Sequence, residues 1–148
     1  MDNLIDQILE GNVLDLLKQF RSNFVDCVIT SPPYYKLRDY QIAGQLGQES
    51  TIEEYISQLI KVFSEVKRVL KDTGACWINI GHSYNEKSLR LIPQRFAIAM
   101  TDDEWICRNE IIWHKSNVMP TGIKDRFTVD FESLYFFTKS GIMYRYYL

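Results

Sequence analysis

The sequence predicts a mixed α/β fold, with parallel strands joined by a helical crossover and a C-terminal antiparallel hairpin. Three observations predict it. Residues 25–30, Val-Asp-Cys-Val-Ile-Thr, form an apolar, β-branched run that stops before Pro32 and Pro33. Neither proline can donate to a strand ladder, so the strand ends at Ser31. Residues 52–70 then keep helical apolar spacing and lead into a second apolar run at 75–80, the pattern of a β-α-β crossover. Finally, Lys139-Ser140-Gly141 separates two apolar runs by a turn so short that they must pair antiparallel.

In chain order, residues 4–10 read as a short strand ending at Gly11. Asn12 is a good N-cap for a helix over residues 13–20, with Val13, Leu16, Leu17 and Phe20 on one face. The run at 25–30 has the near-continuous apolar character of a parallel strand covered on both faces. Residues 36–48 show no period and contain Gly44 and Gly47, which predicts a long loop over the strand end, tied back by Glu49. Ser50 and Glu53 form a capping box for a helix running to Lys71. Lys67, Arg68 and Lys71 complement its dipole and Asp72-Thr73-Gly74 closes it. Residues 75–80 are a second buried strand, with Gly81-His82-Ser83-Tyr84 at its carboxyl end. Pro93 opens another helix carrying Phe96, Ala97, Ile98 and Met100. Strands are expected at 105–115, 132–138 and 142–147.

At 148 residues the chain is expected to be one domain, 1–148, able to bury roughly 70% of its unfolded surface. With 46% hydrophobic and 14% aromatic residues and only seven Gly and four Pro, it is globular rather than disordered. No apolar run approaches the ~20 residues that cross a bilayer, and the acidic start Met1-Asp2-Asn3 lacks the basic flank of a signal peptide. A cytoplasmic location is the expectation. Cys27, Cys76 and Cys107 are far apart within apolar runs and read as buried thiols; with His82 and His114 also isolated, no metal site is expected. The formal net charge of -2 does not mark a nucleic-acid binder, although a local basic patch suffices for one.

Ligands of open α/β sheets bind at the carboxyl ends of strands, where Ser31, Pro32, Pro33 and Tyr34 stand. Ser31 offers a hydroxyl, Pro32 restricts it, and the loop carbonyls cannot all be satisfied locally, so two acceptors are held in a fixed geometry. Tyr34 adds a flat face. That arrangement suits a planar ring bearing an exocyclic amino group, such as a nucleobase. Lys36 and Arg38 flank the aromatics, within reach of a phosphate.

Ser31-Pro32-Pro33-Tyr34 after an apolar strand resembles motif IV of the S-adenosylmethionine-dependent amino-methyltransferases of DNA. Arg38-Asp39-Tyr40, Gln45-Leu46-Gly47-Gln48-Glu49 and Glu53-Glu54-Tyr55-Ile56 follow in the order of that family's pattern. The resemblance implies a Rossmann-like class I methyltransferase sheet, here partial, spanning motifs IV to VIII. It implies S-adenosyl-L-methionine as co-substrate, with Thr30, Ser31, Gly81 and His82 near it, and duplex DNA as partner. In similar proteins the counterparts of Asn117, the Met119-Pro120 pair and Arg126 lie near the flipped base and its backbone. Together with Lys124, Lys36 and Arg38, Asn117 and Arg126 make the expected DNA contacts. The Ser31 hydroxyl and Pro32 carbonyl would accept the hydrogens of the target amine and Tyr34 would stack on its ring. Ser31 at the first motif position favours N4 of cytosine over N6 of adenine, where Asp is commoner. Asn12 and His82 depart from the family, which usually has acidic residues at those positions.

The chain contains no G-x-G, the turn on which methyltransferases of this fold hold adenosylmethionine. The catalytic loop begins at position 31, too early for that turn to precede it. The order therefore matches the circularly permuted, beta-class type, with the cofactor half expected on a second chain or covered by a homodimer, because the 25–30 strand would otherwise leave an unpaired edge. A truncated, non-catalytic remnant that retains the fold, or a DNA-binding module, is the alternative of another class.

Overall fold

The computed structural model describes residues 6–119 and 122–141. In chain order its elements are α1 (Val13–Leu17), β1 (Val25–Thr30), α2 (Ile52–Val69), β2 (Leu70–Ile80), β3 (Tyr84–Asn85), β4 (Ser88–Leu89), α3 (Ile92–Asp102), β5 (Ile106–His114) and β6 (Phe131–Thr138). Four strands make one sheet in the order β1-β2-β6-β5, and β3 pairs with β4 in a small ribbon. β1 and β2 are parallel, Cys27 opposite Ala75 and Thr30 opposite Ile78, as the crossover pattern predicts. β6 runs antiparallel to both β2 and β5. The expected final strand at 142–147 lies outside the described residues.

The core sits on one face of this sheet. Cys76, Ile78 and Ile80 of β2 and Tyr135 and Phe137 of β6 meet Tyr55, Leu59, Phe63 and Val66 of α2 and Ile92, Phe96 and Met100 of α3. Burying each large apolar side chain contributes roughly 1.5–3 kcal/mol, so this layer holds the helices to the strands. Leu14 and Leu17 of α1 pack against the same cluster. The opposite face carries no helix among the described residues. There Trp77 stacks on Phe136 at 4.2 Å, and the register puts Ile29, Leu134, Ile111 and Trp113 on the same side.

Several expectations are corrected. β1 is not covered on both faces: among the described residues it is an edge strand, and Ile29 is 78% exposed. Its apolar run records an affinity for burial, while burial itself requires a neighbour. For the same reason Cys27 and Cys107, on the two edge strands, are exposed, and only Cys76 is a buried thiol. Residues 6–10 form no strand and Ile8 is fully exposed; residues 4 and 5 lie outside the description. Asn12 caps α1 as expected, its side chain accepting from Leu14 N at 2.9 Å. α1 stops at Leu17 rather than Phe20, where Arg68 of α2 donates to the Leu17 and Phe20 carbonyls, both at 2.9 Å.

The capping box of α2 is shifted by one residue. Thr51, not Ser50, accepts from Glu54 N at 3.1 Å, and the Glu54 carboxylate accepts from Thr51 N at 3.2 Å. The helix also ends at Val69, earlier than Lys71, and β2 begins directly at Leu70, so Asp72, Thr73 and Gly74 lie inside a strand. Lys71 belongs to that strand and pairs with Asp26 of β1 at 2.7 Å. Pro93 does sit in the first turn of α3. Among the described residues there is no His/Cys/Asp/Glu cluster fit for a metal, and no helix is long and apolar enough to cross a membrane.

Candidate active site at the ends of two parallel strands

The loop that follows β1 and the loop that follows β2 lie side by side because their strands are parallel neighbours. Ser31, Pro32, Pro33 and Tyr34 line a cavity of about 420 Å³, completed by Leu37, Arg38 and Tyr40 from the next loop and by Lys115 and Glu132 from the β5 and β6 ends. Pro32 is buried and Ser31 is exposed at its rim. Two carbonyls of this loop are already engaged: Pro33 O accepts from the Tyr55 hydroxyl at 2.8 Å, and Tyr34 O from Leu37 N at 3.2 Å. Among the described residues, the Ser31 hydroxyl and the Pro32 carbonyl have no partner. These two oxygens of the loop are thus left unengaged, whereas the Pro33 and Tyr34 carbonyls are not.

Residues 36–49 brace the loop through backbone contacts. Lys36 N donates to Gly47 O at 2.7 Å, and Gln45 and Gln48 both donate their amides to the Arg38 carbonyl at 2.9 Å. Glu49, expected to tie the loop to the body of the protein, instead accepts from Gly47 N at 2.8 Å, two residues away within the loop. Gly47 has φ +94 and packs so tightly that a Cβ would lie 3.0 Å from the Tyr34 carbonyl, which only glycine tolerates. Gln45 also accepts from Tyr40 N at 2.6 Å, so the side chains of Gln45, Gln48 and Glu49 all engage backbone groups of the loop.

Tyr34 is the most tightly wired residue of the site. Its hydroxyl donates to Glu132 Oε2 at 2.9 Å and accepts from Asn79 Nδ2 at 3.0 Å, while the same amide donates to Glu132 at 2.6 Å. Lys115 pairs with the other carboxylate oxygen. Burial raises the Tyr34 phenol well above the ordinary tyrosine value, and the adjacent Glu132 carboxylate raises it further. For Glu132, burial pushes upward, but the donors Lys115, Asn79 and Tyr34 outweigh it and hold the carboxyl below its usual range. Gly81 leaves no space beside the ring: a Cβ there would fall 2.5 Å from Tyr34 Cε2.

The structure divides the remaining predicted residues into two groups. Thr30 ends β1, half-buried, and Gly81 touches Tyr34. His82 lies next to them but does not line the cavity: its ring meets Phe131 edge-on at 5.8 Å, burial lowers its pKa, and its Nδ1 is buried without a partner. Arg38 faces the cavity, whereas the Lys36 ammonium is engaged by the Gln48 carbonyl at 2.8 Å. Asn117 and Lys124 are exposed on the loop between β5 and β6. Arg126 folds back over the Tyr84 ring at 4.1 Å and pairs with Asp125 at 3.0 Å. Met119 is exposed, and Pro120 lies outside the described residues. Glu132, Asn79 and Gly47 escaped the sequence reading as site residues. The available signal was polarity inside apolar runs, Asn79 in Trp-Ile-Asn-Ile and Glu132 in Phe-Glu-Ser-Leu-Tyr-Phe-Phe.

Comparison with known proteins identifies the family and the fold. The N6/N4 DNA methylase family matches residues 25–147. The chain is 40% identical over 154 residues to the type II methyltransferase M.SfiI of Streptomyces fimbriatus, covering 93% of this chain and 36% of that relative. It is 39% identical over 162 residues to the type II methyltransferase M.XycI of Xanthomonas campestris pv. cyanopsidis, covering 90% of this chain and 54% of that one. Among solved structures, the cytosine-N4-specific PvuII DNA methyltransferase has the same fold, with TM-score 0.74 at 21% identity over 90% of this chain and 49% of its own. A DNA modification methylase of Thermus thermophilus, solved with S-adenosyl-L-methionine, gives TM-score 0.70 at 26% identity over 93% of this chain and 56% of its own. The chain thus spans between about a third and about a half of these proteins. With the family's motif at the carboxyl end of β1 and its profile matched along most of the sequence, this chain belongs to the N6/N4 DNA methylase family.

Proposed function

We propose that this chain is the base-gripping part of a permuted, beta-class DNA methyltransferase, acting on the exocyclic amine of a base extruded from duplex DNA, with N4 of cytosine as the target. The observation that carries the reading is the pair of unpartnered acceptors, the Ser31 hydroxyl and Pro32 carbonyl, beside the Tyr34 ring at the cavity. Both amine hydrogens held by these acceptors would draw the nitrogen lone pair out of ring conjugation and aim it, so alignment and local dipoles supply most of the rate. Ser31 is too weak a base to remove a proton first. Tyr34 stacks on the base, a contact worth about 1–3 kcal/mol. Arg38, Lys36, Asn117, Lys124 and Arg126 are assigned to the DNA backbone, Arg126 and Lys36 after release from their present partners.

S-adenosyl-L-methionine, when bound, supplies the methyl group. The residues present fit only its reacting end: Thr30, Ser31, Gly81 and His82 stand near the strand ends, but the sequence has no G-x-G to hold the rest. The β1 edge and the open apolar sheet face support a second chain bearing the cofactor half, or a homodimer, as what covers them. The type II relatives support a DNA-modification role. N6 of adenine is the second target reading, since the favoured cytosine rests on Ser31 alone.

Methyl transfer from labelled S-adenosylmethionine to DNA, followed by mass analysis of the nucleosides, tests the reading and separates N4-methylcytosine from N6-methyladenine. Ser31→Ala is expected to lower turnover about a hundredfold. Unchanged turnover removes Ser31 from the mechanism. Titration of the chain alone with S-adenosylmethionine is expected to show no micromolar binding, and such binding would overturn the two-part cofactor site. No transfer in any combination favours the non-catalytic remnant.

A further inference from the structure

We propose that Glu132 is a positioning residue of the site, fixing the ring of Tyr34 in the orientation from which it stacks on the target base. The proposal rests on the amino-methyltransferase reading above. It begins from a closed triangle of hydrogen bonds: Tyr34 Oη to Glu132 at 2.9 Å, Asn79 Nδ2 to Tyr34 Oη at 3.0 Å, and Asn79 Nδ2 to Glu132 at 2.6 Å. An ionised carboxylate accepts only, so the phenol hydrogen must point at Glu132 and its lone pair at Asn79. Lys115 on the other oxygen compensates the charge, which keeps Glu132 ionised in a partly buried place.

Geometry then divides the work of orientation. The hydroxyl lies on the axis about which the ring rotates, so its hydrogen bonds fix where the ring points without fixing its tilt. The tilt is set by Gly81, whose missing Cβ would fall 2.5, 2.7 and 3.2 Å from Cε2, Cδ2 and Cζ. Asn79 lies on β2, Glu132 on β6 and Lys115 just past β5, so three strands hold one ring. A surface tyrosine used only for packing requires none of this. A platform that must meet a base on arrival does, because misplacement of reacting groups by about 1 Å costs on the order of a hundredfold in rate.

The test places 3-fluorotyrosine at position 34 of this chain and follows its fluorine resonance against pH, in wild type and in Glu132→Gln. Glutamine keeps the shape and loses the charge. The wild-type phenol is expected to titrate above free fluorotyrosine, and the variant to titrate lower with a shifted, broadened line. An identical line and midpoint in both overturns the proposal. In the methyl-transfer assay, Glu132→Gln is expected to lower kcat about tenfold or more with the KM for DNA unchanged, and to add nothing further in a Tyr34→Phe background. Equal losses in both backgrounds show that Glu132 acts independently of Tyr34 and overturn it as well. Should Glu132→Gln fail to fold, Tyr34→Phe carries the test from the other partner, and an unchanged kcat defeats the proposal. Absence of methyl transfer by wild type in every combination with a cofactor-bearing half would defeat the functional reading instead, and the fluorine titration would still decide the wiring.

Discussion

At the scale of single residues, the site joins groups that read plainly in sequence to groups that do not. Two consecutive prolines at a strand end announce a stiff loop, and Ser31 and Tyr34 are placed by them. Glu132 and Asn79 carry only the faint signal of polar residues within largely apolar runs, and only the side-by-side packing of β2 and β6 brings both to the Tyr34 hydroxyl. His82 shows the reverse. Its sequence position suggested a cofactor contact, yet the ring packs on Phe131, and burial lowers its pKa against an opposing pull from Glu110. The folded state therefore resists a proton that the unfolded chain takes up near pH 6.5, so stability is full above that pH and falls as pH drops below it. The Glu132 shift acts in a separate window, below the ordinary carboxylate value of 4.5. Urea midpoints measured from about pH 7 to 5 are expected to decline in wild type and to flatten in His82→Gln. An equal decline in both would show that the imidazole is not the responsible group.

At the scale of elements, α2 was legible in type and length and illegible at its ends. Its apolar stripe at Tyr55, Leu59, Phe63 and Val66 fixes a helix, but Val69 and Leu70 are buried both as the last helical turn and as the first strand residues. Spacing cannot separate those two states. The cap shows the same ambiguity, since Ser50 with Glu53 and Thr51 with Glu54 are equally good boxes on paper, and the structure uses the second. Thr51→Ala is accordingly expected to cost about 1 kcal/mol and Ser50→Ala much less, read as a Tm loss of about 2–4 °C for the first. The opposite ranking in thermal unfolding would restore the cap to Ser50. The β-α-β crossover itself was fixed by order and composition, because a parallel return requires a connection that long.

At the scale of the whole molecule, the sheet has helices on one side only and an open edge at β1 among the described residues. Ile29 at 78% exposure, with Ile111 and Trp113 also exposed on the face opposite the helices, forms an apolar surface of the kind that marks interaction sites. Light scattering of the purified chain is expected to show association that increases with concentration and weakens in Ile29→Lys, since a charge on an edge strand blocks further pairing. A stable wild-type monomer at all concentrations would mean that this surface needs no cover.

The sequence by itself determined the α/β class, the Ser31-Pro32-Pro33-Tyr34 loop at a strand end and membership in a family, because strand breakers, helical period and motif order are local properties of a chain. The tertiary structure alone decided that β1 is an edge, that Cys27 and Cys107 are exposed, and that Glu132 and Asn79 grip Tyr34 from strands more than forty residues away. Burial and hydrogen bonding are relations between segments, and no single segment carries the record of its neighbours.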